Sequence, residues 1–396
     1  MSAAGTTPFW LDAAYEPRSP LEGDLEVEAC VIGGGVAGLS CARRLAQHGI
    51  EAVLLEAGTV AGGASGRNGG FLIPGTAAFH NDARERFGVG RARAMYARTL
   101  EAQREIYELA AELGAGDSLR KVGLLRLAVS EEEAEHVRDQ VRALREDGFS
   151  GDVVERGELP PMLQRIGLVA CRTDHDGAMH PARLYRLVAA AAEAAGARIC
   201  EGSPVRGPVP APDDGPLVTD RGSVHACHVV VAADGALPAL VPEYAGRVRS
   251  RRLHMVATEP VPAALEKLVY ARWGYEYLHQ TPDGRMLAGG FSDLDGDGSY
   301  TDSDNGDPAI WERVERYLRE DLGINAGVSH RWVGVVGYSD DSLPYVGEVP
   351  GRPRLYVSGG YSGHGNVPGF MCGRDLADTI AGSGPEPLFP ADRLRA

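Results

Sequence analysis

The chain has 396 residues, 44% of them hydrophobic, and a formal net charge of −15 at pH 7. This length suffices for two or three domains, whereas the acidic charge argues against nucleic-acid binding and the lack of an apolar run of roughly 18 residues argues against a membrane span. Six scattered cysteines without a CxxC pair, and the absence of a recognisable signal peptide, predict a reduced, cytoplasmic protein.

A βαβ unit is predicted within residues 25–75, after a loosely ordered lead-in over residues 1–24. An apolar strand at 30–32 runs into a glycine-rich turn and a helix, and a second strand at 52–55 ends on Glu56. This arrangement is the fingerprint of dinucleotide binding. A pyrophosphate would lie on the helix N-terminus, where free N–H groups and the dipole favour an anion, and Glu56 would accept hydrogen bonds from a ribose.

Three glycines shape the turn of this unit. Gly33 permits the tight bend, Gly35 lets a pyrophosphate approach the backbone, and Gly38 lets the helix pack against the strand. Strand, glycines, helix, strand and terminal glutamate in register are far more specific than the glycines alone. The cofactor contacts expected from this unit are Gly33, Gly35, Val36, Ala37, Gly38, Glu56 and Ala57.

Hydrophobic periodicity predicts the elements that follow. In chain order they are a helix at 91–113, a strand at 121–129, helices at 131–147 and 181–195, a surface turn at 204–216, strands at 229–232, 253–258, 269–278 and 285–291, a helix at 308–322, a glycine loop at 358–366 and a helix at 368–381. The pattern predicts a two-domain α/β fold, in which a doubly wound, Rossmann-like domain is joined to an α+β domain built on an antiparallel sheet.

Three separated motifs give the chain a resemblance to a known family. They are G-A-S-G-R-N-G-G at 63–70, V-V-V-A-A-D-G at 229–235 and Y-V-S-G-G-Y-S-G-H-G at 356–365, and the similarity begins with F-W-L-D at 9–12. Together they resemble the D-amino-acid-oxidase-like flavoenzymes, which include glycine oxidase and sarcosine oxidase. The first motif is most similar to the gamma-glutamylputrescine oxidase branch. The resemblance covers most of the chain and implies FAD as the cofactor.

The resemblance also implies how the chain divides between domains. An FAD-binding domain is expected over residues 25–75, 165–250 and 335–385, and a substrate-binding domain over residues 76–164 and 251–334.

Two loops are implied to face the flavin. The loop after the second strand runs under the ring, and the glycine loop near the C-terminus aims N–H groups at its edge, which would stabilise the reduced ring. From these two loops and from the matching positions between them, the resemblance implies further cofactor contacts at Ala64, Ser65, Arg67, Asn68, Gly69, Val205, Ala233, Gly235, Gly360, Gly363, His364, Gly365 and Asn366.

Aromatic residues alternate at Trp273, Tyr275 and Tyr277, which predicts a common face of one strand. This face is interpreted either as sheet packing or as an aromatic wall for an amine, which binds through cation–π attraction. The resemblance favours a pocket role for Tyr277 and Tyr275. The expected catalytic residues are Tyr277, Tyr275, His364 and Arg67, with His364 either titrating or held for its shape in the glycine turn.

Two positions depart from the family pattern. Val336 stands where glycine oxidase has an arginine that clamps the substrate carboxylate, and Gly334 stands where sarcosine oxidase has the cysteine that joins the flavin. These departures imply non-covalent FAD and an amine without an α-carboxylate, unless another arginine such as Arg67 or Arg252 replaces the clamp. The lysine that assists oxygen in sarcosine oxidase falls at Leu287, so a dehydrogenase is an alternative to an oxidase.

The predicted function is FAD-dependent oxidation of a C–N bond in an amine, with hydride transfer to flavin N5, hydrolysis of the imine and reoxidation by O2. The alternatives are an amino-acid oxidase or dehydrogenase with a relocated carboxylate clamp, and a non-catalytic FAD-binding redox sensor. Acidic residues at 293–304 copy the spacing of a calcium loop, but a solvated loop is favoured and no metal is expected. The expected partners are a small-molecule amine and O2, without nucleic acid or membrane.

Overall fold

A computed structural model describes residues 7–395, so the first six residues of the lead-in lie outside the described part of the chain. Its strands are β1 (Gly23–Ile32), β2 (Ala52–Leu55), β3 (Phe71–Leu72), β4 (Leu119–Lys121), β5 (Leu124–Ala128), β6 (Asp152–Glu155), β7 (Val169–Thr173), β8 (Gly177–Met179), β9 (Arg198–Cys200), β10 (Leu217–Val218), β11 (Gly222–Val231), β12 (Val248–Pro260), β13 (Leu268–Ala271), β14 (Glu276–Gln280), β15 (Arg285–Gly290), β16 (Val328–Ser339), β17 (Tyr345–Glu348) and β18 (Leu355–Gly359). Its α-helices are α1 (Val36–Gln47), α2 (Ala64–Arg67), α3 (His80–Phe87), α4 (Val89–Glu112), α5 (Glu131–Glu146), α6 (Pro181–Ala194), α7 (Leu237–Leu240), α8 (Pro308–Arg316) and α9 (Asn366–Ile380).

The first sheet has a parallel centre, in the order β17-β18-β11-β1-β2-β9, with β10 paired to β11. Strand β1 runs parallel to both β11 and β2, whereas β17 and β10 are antiparallel to their neighbours. Residues 29–32 of β1 alternate between two separate apolar clusters, because successive side chains point to opposite faces. Helices α1, α4, α6 and α9 cover one face, and the mixed α/β fold predicted from the sequence is confirmed.

The second sheet has the order β16-β12-β15-β14-β13-β5-β7-β6. Every pair in it is antiparallel except β13 with β5, as expected of the α+β part. Strand β7 pairs with β5 and β6, so this strand lies in the second sheet, although its residues fall within the range 165–250 that was assigned to the FAD-binding domain. Strands β12 and β16 also cross the predicted domain boundaries at 250 and 334, because each is one continuous strand that begins on one side of its boundary and ends on the other.

The predicted strand at 269–278 is wrong, because the structure has β13 and β14 with a tight turn between them. Arg272 and Trp273 lie in the turn with φ of +49° and +58°, followed by Gly274 at +86°. Glycine adopts such left-handed conformations without steric cost, and the sequence signal for a break was this single residue. Trp273 and Tyr275 therefore lie outside the strand, and their alternation with Tyr277 does not define a strand face.

The described part of the lead-in is packed and not loosely ordered. Phe9–Leu11 forms a 3₁₀ helix, and Trp10 and Leu21 are buried. A composition rich in Ala, Pro and Gly obscured these two anchors. Within residues 7–395, no helix combines the length and the apolar character that crossing a bilayer requires.

Candidate active site

The βαβ unit brings the N-terminus of α1 and the end of β2 together. Gly35 is the N-cap of α1 and has no side chain with which to cap this helix end. The Glu56 carboxylate accepts hydrogen bonds from the N–H groups of Gly34 at 2.6 Å and Gly58 at 2.7 Å. Burial raises the pKa of Glu56, and the two N–H groups partly counter that effect. A helix end with a glycine N-cap beside a glutamate is what a dinucleotide needs for its pyrophosphate and ribose.

Close packing at the first turn of α1 explains the third glycine of the motif. A Cβ on Gly38 would lie 1.9 Å from the Gly33 carbonyl oxygen, which no side chain can do without moving the backbone. Nearby, the Ser65 hydroxyl accepts the Val36 N–H at 2.9 Å, so the loop after β2 is tied to the helix end. Val205 follows Ser203, whose N–H donates to the Glu56 carbonyl oxygen, and so lies at this same end of the fold.

A cavity of about 270 Å³ lies where the two glycine loops meet the second sheet. It is lined by Ala64, Arg67, Asn68, Gly69, Phe71, Ile73, Ala77, Arg126, Arg251, Leu253, Met255, Tyr270, Trp273, Gly274, Tyr275, Tyr277, Ser292, Gly334, Val336, Tyr338, Ser362, Gly363, His364, Gly365 and Asn366. The cavity brings together all four predicted catalytic residues, namely Tyr277, Tyr275, His364 and Arg67. The nucleotide-binding residues of the βαβ unit lie outside its lining.

Strand register builds the floor of this cavity. Directly paired residues share a face of a sheet, and one row of pairs runs Arg126, Tyr270, Tyr277, Gly289 and Met255 across five strands. A Cβ on Gly289 would lie 2.5 Å from the Tyr277 ring, so glycine leaves room for that ring. The floor is therefore aromatic in its centre and has a guanidinium at one end.

Tyr277 lies within this aromatic group. Its ring meets Tyr270 and Phe71 edge-on, each at 6.1 Å between centroids, and burial raises its pKa well above the ordinary value. Trp273 and Tyr275 are 40% and 39% exposed and stand at the rim. The turn, and not strand alternation, brings these two rings to the cavity.

Three ring N–H groups hold the loop that follows β2. They donate to three consecutive carbonyl oxygens, as Trp332 Nε1 to Arg67 at 2.8 Å, Trp10 Nε1 to Asn68 at 2.8 Å and His279 Nε2 to Gly69 at 2.9 Å. Each ring comes from a different part of the chain, so the loop is fixed from behind. None of the three was predicted as a site residue, because their role depends on tertiary contacts.

An amide pair joins the two glycine loops. The Asn68 and Asn366 side chains exchange hydrogen bonds at 3.2 Å in both directions, and the Tyr185 hydroxyl donates to Asn366 at 2.9 Å. Gly365 is the N-cap of α9, again without a side-chain cap. The positive end of α9 therefore points at the cavity, as the resemblance implied for the edge of a flavin.

His364 is held as a neutral group. Its Nε2 lies 3.2 Å from the Pro74 carbonyl oxygen, and a ring nitrogen facing a carbonyl must carry the proton. Burial lowers the pKa of His364 to about 4. The structure therefore favours the interpretation that this histidine is held for its shape in the glycine turn.

Asp234 was missed, although Ala233 and Gly235 were named. It has a φ of +44° and accepts N–H groups from Gly337 at 2.7 Å and Gly360 at 3.0 Å. One carboxylate therefore joins the end of β11 to β16 and to the start of the second glycine loop. Only its place between two expected contacts could have signalled it in the sequence.

The DAO family model, described as FAD dependent oxidoreductase, matches residues 28–379. The chain belongs to the DAO family. It is 27% identical to the probable oxidoreductase OrdL of Rhizobium meliloti, over 95% of this chain and 89% of the relative. It is 26% identical to the gamma-glutamylputrescine oxidoreductase of Escherichia coli, over 93% and 87%. The glycine oxidase structure from Geobacillus kaustophilus has the same fold, with a TM-score of 0.77 at 22% identity, over 93% of this chain and 98% of that one.

Membership of the DAO family confirms the predicted family and makes FAD the cofactor. The protein is an enzyme that oxidises amines or amino acids, so the non-catalytic redox sensor is not supported. The ends of α1 and α9, each with a glycine N-cap, and the Glu56 carboxylate beside the first glycine turn fit FAD.

The two departures from the DAO pattern both fall at the cavity. Gly334 and Val336 line it. Two arginines were suggested as replacements for the clamp. Arg67 lines the cavity, and its Nε donates to the Gly62 carbonyl oxygen at 2.8 Å. Arg252 is wrong as a replacement, because it lies outside the lining and pairs with Asp295.

The acidic loop at 293–304 uses its first carboxylates in ion pairs. Asp293 accepts both N–H groups of Arg272 at 2.8 and 2.9 Å, and Asp295 pairs with Arg252 at 3.2 Å. A calcium ion would compete with two arginines for these ligands. Among residues 7–395, no group of His, Cys, Asp and Glu side chains is placed to hold a metal.

His279→Gln should change how stability depends on pH. Burial lowers the pKa of His279 from 6.5 to about 4, so between these values the unfolded chain binds a proton that the folded chain does not. Stability is therefore lost as pH falls through this window, by roughly 3 kcal/mol at about 1.36 kcal/mol per pKa unit. Glutamine keeps an N–H donor for Gly69 but does not titrate. Urea unfolding at several pH values should show the variant losing less stability in acid, with exposed His225→Gln as the control, and parallel curves would contradict this role.

Proposed function

We propose that this enzyme oxidises the C–N bond of an amine held between the aromatic floor and the flavin. The observation that supports the proposal is the meeting of three features at one cavity: the anchored loop after β2, the uncapped end of α9, and the row of rings on the second sheet. The ends of α1 and α9 with Glu56 would hold FAD, which when bound would supply a hydride acceptor at N5 and a route for two electrons to O2, with hydrogen peroxide as the product. The carbon next to nitrogen loses that hydride, and the nitrogen loses one proton.

The imine then takes up water and separates into a carbonyl compound and ammonia or an amine. The protein's part is to orient and to shield. Tyr277 and Tyr275 would face the amine, Arg67 and His364 would border it, and the burial of the floor would exclude water. Because the pKa of His364 is lowered to about 4, its ring is a weak base, and among residues 7–395 no aspartate, glutamate or lysine lines the cavity. The amine would therefore arrive in its deprotonated form.

We propose that FAD is bound without a covalent link. The described cysteines other than Cys227 are buried in cores, and no cysteine lines the cavity. Acid precipitation should leave the yellow colour in the supernatant, and colour that stays with the precipitate would contradict this.

Anaerobic reduction of the flavin tests the function. A panel of amines and amino acids is mixed with the purified holoenzyme, and loss of the visible flavin band reports hydride transfer regardless of the final acceptor. Reoxidation is then followed with O2 and with an artificial acceptor, which separates an oxidase from a dehydrogenase. Failure of every C–N compound to reduce the flavin would overturn the proposal.

Tyr277→Ala should lower kcat/KM while leaving the flavin content intact. The ring lies at the centre of the floor, and a ring contact with an amine or a packed substrate contributes about 0.5–2 kcal/mol. The expected loss is therefore roughly 2- to 30-fold. Tyr277→Phe keeps the ring and should retain most activity. The measurement is steady-state kinetics on the best substrate of the panel, with flavin content determined for each variant. An unchanged kcat/KM in Tyr277→Ala would contradict the assignment of this ring to the substrate-binding floor.

A further inference from the structure

The charges around the cavity are all of one sign. Three arginines line it, Arg67, Arg126 and Arg251, and within the described part of the chain no aspartate, glutamate or lysine does so. A cationic polyamine would meet only positive charge there. The expectation of an amine without an α-carboxylate followed from Val336 and from the similarity to the gamma-glutamylputrescine oxidase branch, and it does not account for these arginines.

Arg126 lies at one end of the floor. Among residues 7–395 its guanidinium forms no hydrogen bond or ion pair with a carboxylate, although it lies close enough to Asp176 to counter part of the rise that burial causes in the pKa of that carboxyl. Its guanidinium stands over the Phe79 ring at 4.8 Å and the Tyr270 ring at 5.5 Å. The side chain is half-buried. A guanidinium that is partly desolvated and held by aromatic faces is prepared to bind an anion, because its hydrogen-bond donors are unused.

Arg251 occupies a second position, on β12. It donates to the Ser299 hydroxyl at 3.0 Å and the Ser292 carbonyl oxygen at 3.2 Å, and it lies 5.1 Å from the Tyr338 ring. Within the described range its guanidinium contacts hydroxyl, carbonyl and aromatic groups and forms no ion pair with a carboxylate. These contacts fix its direction while leaving its positive charge uncompensated.

The two arginines are separate sites. Strands β5 and β12 are four steps apart in the sheet order, which places their backbones on the order of 20 Å apart at ~4.8 Å per step. The groups that contact Arg126 and those that contact Arg251 do not overlap. The aromatic rings of Tyr270 and Tyr277 lie between them, so one carboxylate would not bridge both guanidinium groups.

We propose that the substrate is an amine that carries an anionic group on each side of the oxidised C–N bond, one bound by Arg126 and the other by Arg251. This inference rests on the proposed function for the position of the reacting bond. The chemical class is a secondary amine between two carboxylate arms, such as an N-carboxyalkyl amino acid. The amine would lie over Tyr277, where the floor has no charge of its own.

Binding of inert analogues tests the two anion sites directly. Thiodiacetate and 3,3′-thiodipropionate place a sulfur between two carboxylates, and methylthioacetate has only one carboxylate. Calorimetry and flavin difference spectra on the holoenzyme should show at least one diacid binding more tightly than the monoacid. Arg126→Gln and Arg251→Gln should each weaken that diacid by roughly 10- to 100-fold, as expected for one charge-assisted contact.

Arg249→Gln is the matched control. Arg249 lies on the same strand as Arg251, is exposed and stacks on Tyr300 at 3.9 Å, but it does not line the cavity. This variant should bind the diacids as the unchanged enzyme does. Retention of the flavin spectrum in all three variants would show that they fold.

Two results would overturn the inference. One is equal binding of diacid and monoacid, and the other is an effect of only one of the two arginines, which would leave a single anionic group. Anaerobic flavin reduction separates this failure from failure of the function: if neutral amines reduce the flavin as well as dicarboxylate amines do, only the inference is wrong. If no C–N compound reduces the flavin, the proposed function fails.

Discussion

Glu56→Ala should yield protein that loses most of its flavin during purification. The carboxylate ends β2 and is held by the N–H groups of Gly34 and Gly58, so its oxygens are fixed where an adenosine ribose would lie. Loss of two hydrogen bonds to a charged acceptor, at about 1.5–3 kcal/mol each, raises the Kd for FAD roughly 100-fold or more. The measurement is the ratio of flavin to protein, followed by titration of the apoprotein with FAD.

Glu51→Ala provides the matched control, since Glu51 is an exposed carboxylate that immediately precedes the same strand. It should bind FAD normally and unfold at the same temperature. Glu56→Ala with full, tightly held flavin would contradict the role assigned to this carboxylate. Glu56→Asp, which shortens the side chain by one methylene, should fall between the two.

The nucleotide-binding half was predictable because its signals are local. Residues 30–56 contain strand, turn, helix and strand in one continuous stretch, and each glycine of the motif has a defined structural role at a defined spacing. Gly38 illustrates this: its close contact is with Gly33, only five residues away. Helices α4, α5 and α6 were equally predictable from their apolar periodicity.

The substrate half was predictable only in part, because its cavity is assembled from distant strands. Arg126 and Tyr277 share one row of the sheet through the pairing of β5 with β13 and of β13 with β14. No local sequence pattern predicts that register. Tyr275 reached the cavity, although through a turn that the alternation rule could not foresee. The anchors Trp10 and His279 likewise act on a loop far from them in sequence.

Asp234→Ala should destabilise the protein by roughly 3–5 kcal/mol and loosen the flavin. The carboxylate accepts N–H groups of Gly337 at 2.7 Å, Gly360 at 3.0 Å and Tyr361 at 3.4 Å, and each donor left unpartnered in a buried place costs about 1–3 kcal/mol. Such a loss is a large share of the roughly 5–15 kcal/mol that stabilises a folded protein. Thermal unfolding and flavin release during a temperature ramp are the measurements.

Two further variants distinguish the effect of losing the hydrogen bonds of Asp234 from the effect of losing its charge and from a general loss of stability. Asp234→Asn keeps one carbonyl oxygen but turns an NH₂ group toward a backbone donor, so it should lose part of the stability that alanine loses. Asp220→Ala removes an exposed partner of Arg206 and should cost no more than about 1 kcal/mol. Since Gly360 and Tyr361 open the second glycine loop, loss of their anchor should release flavin below the temperature at which the rest of the fold unfolds. Flavin release and global unfolding are expected to coincide in Asp220→Ala. If they also coincide in Asp234→Ala, Asp234 stabilises the fold without positioning the loop.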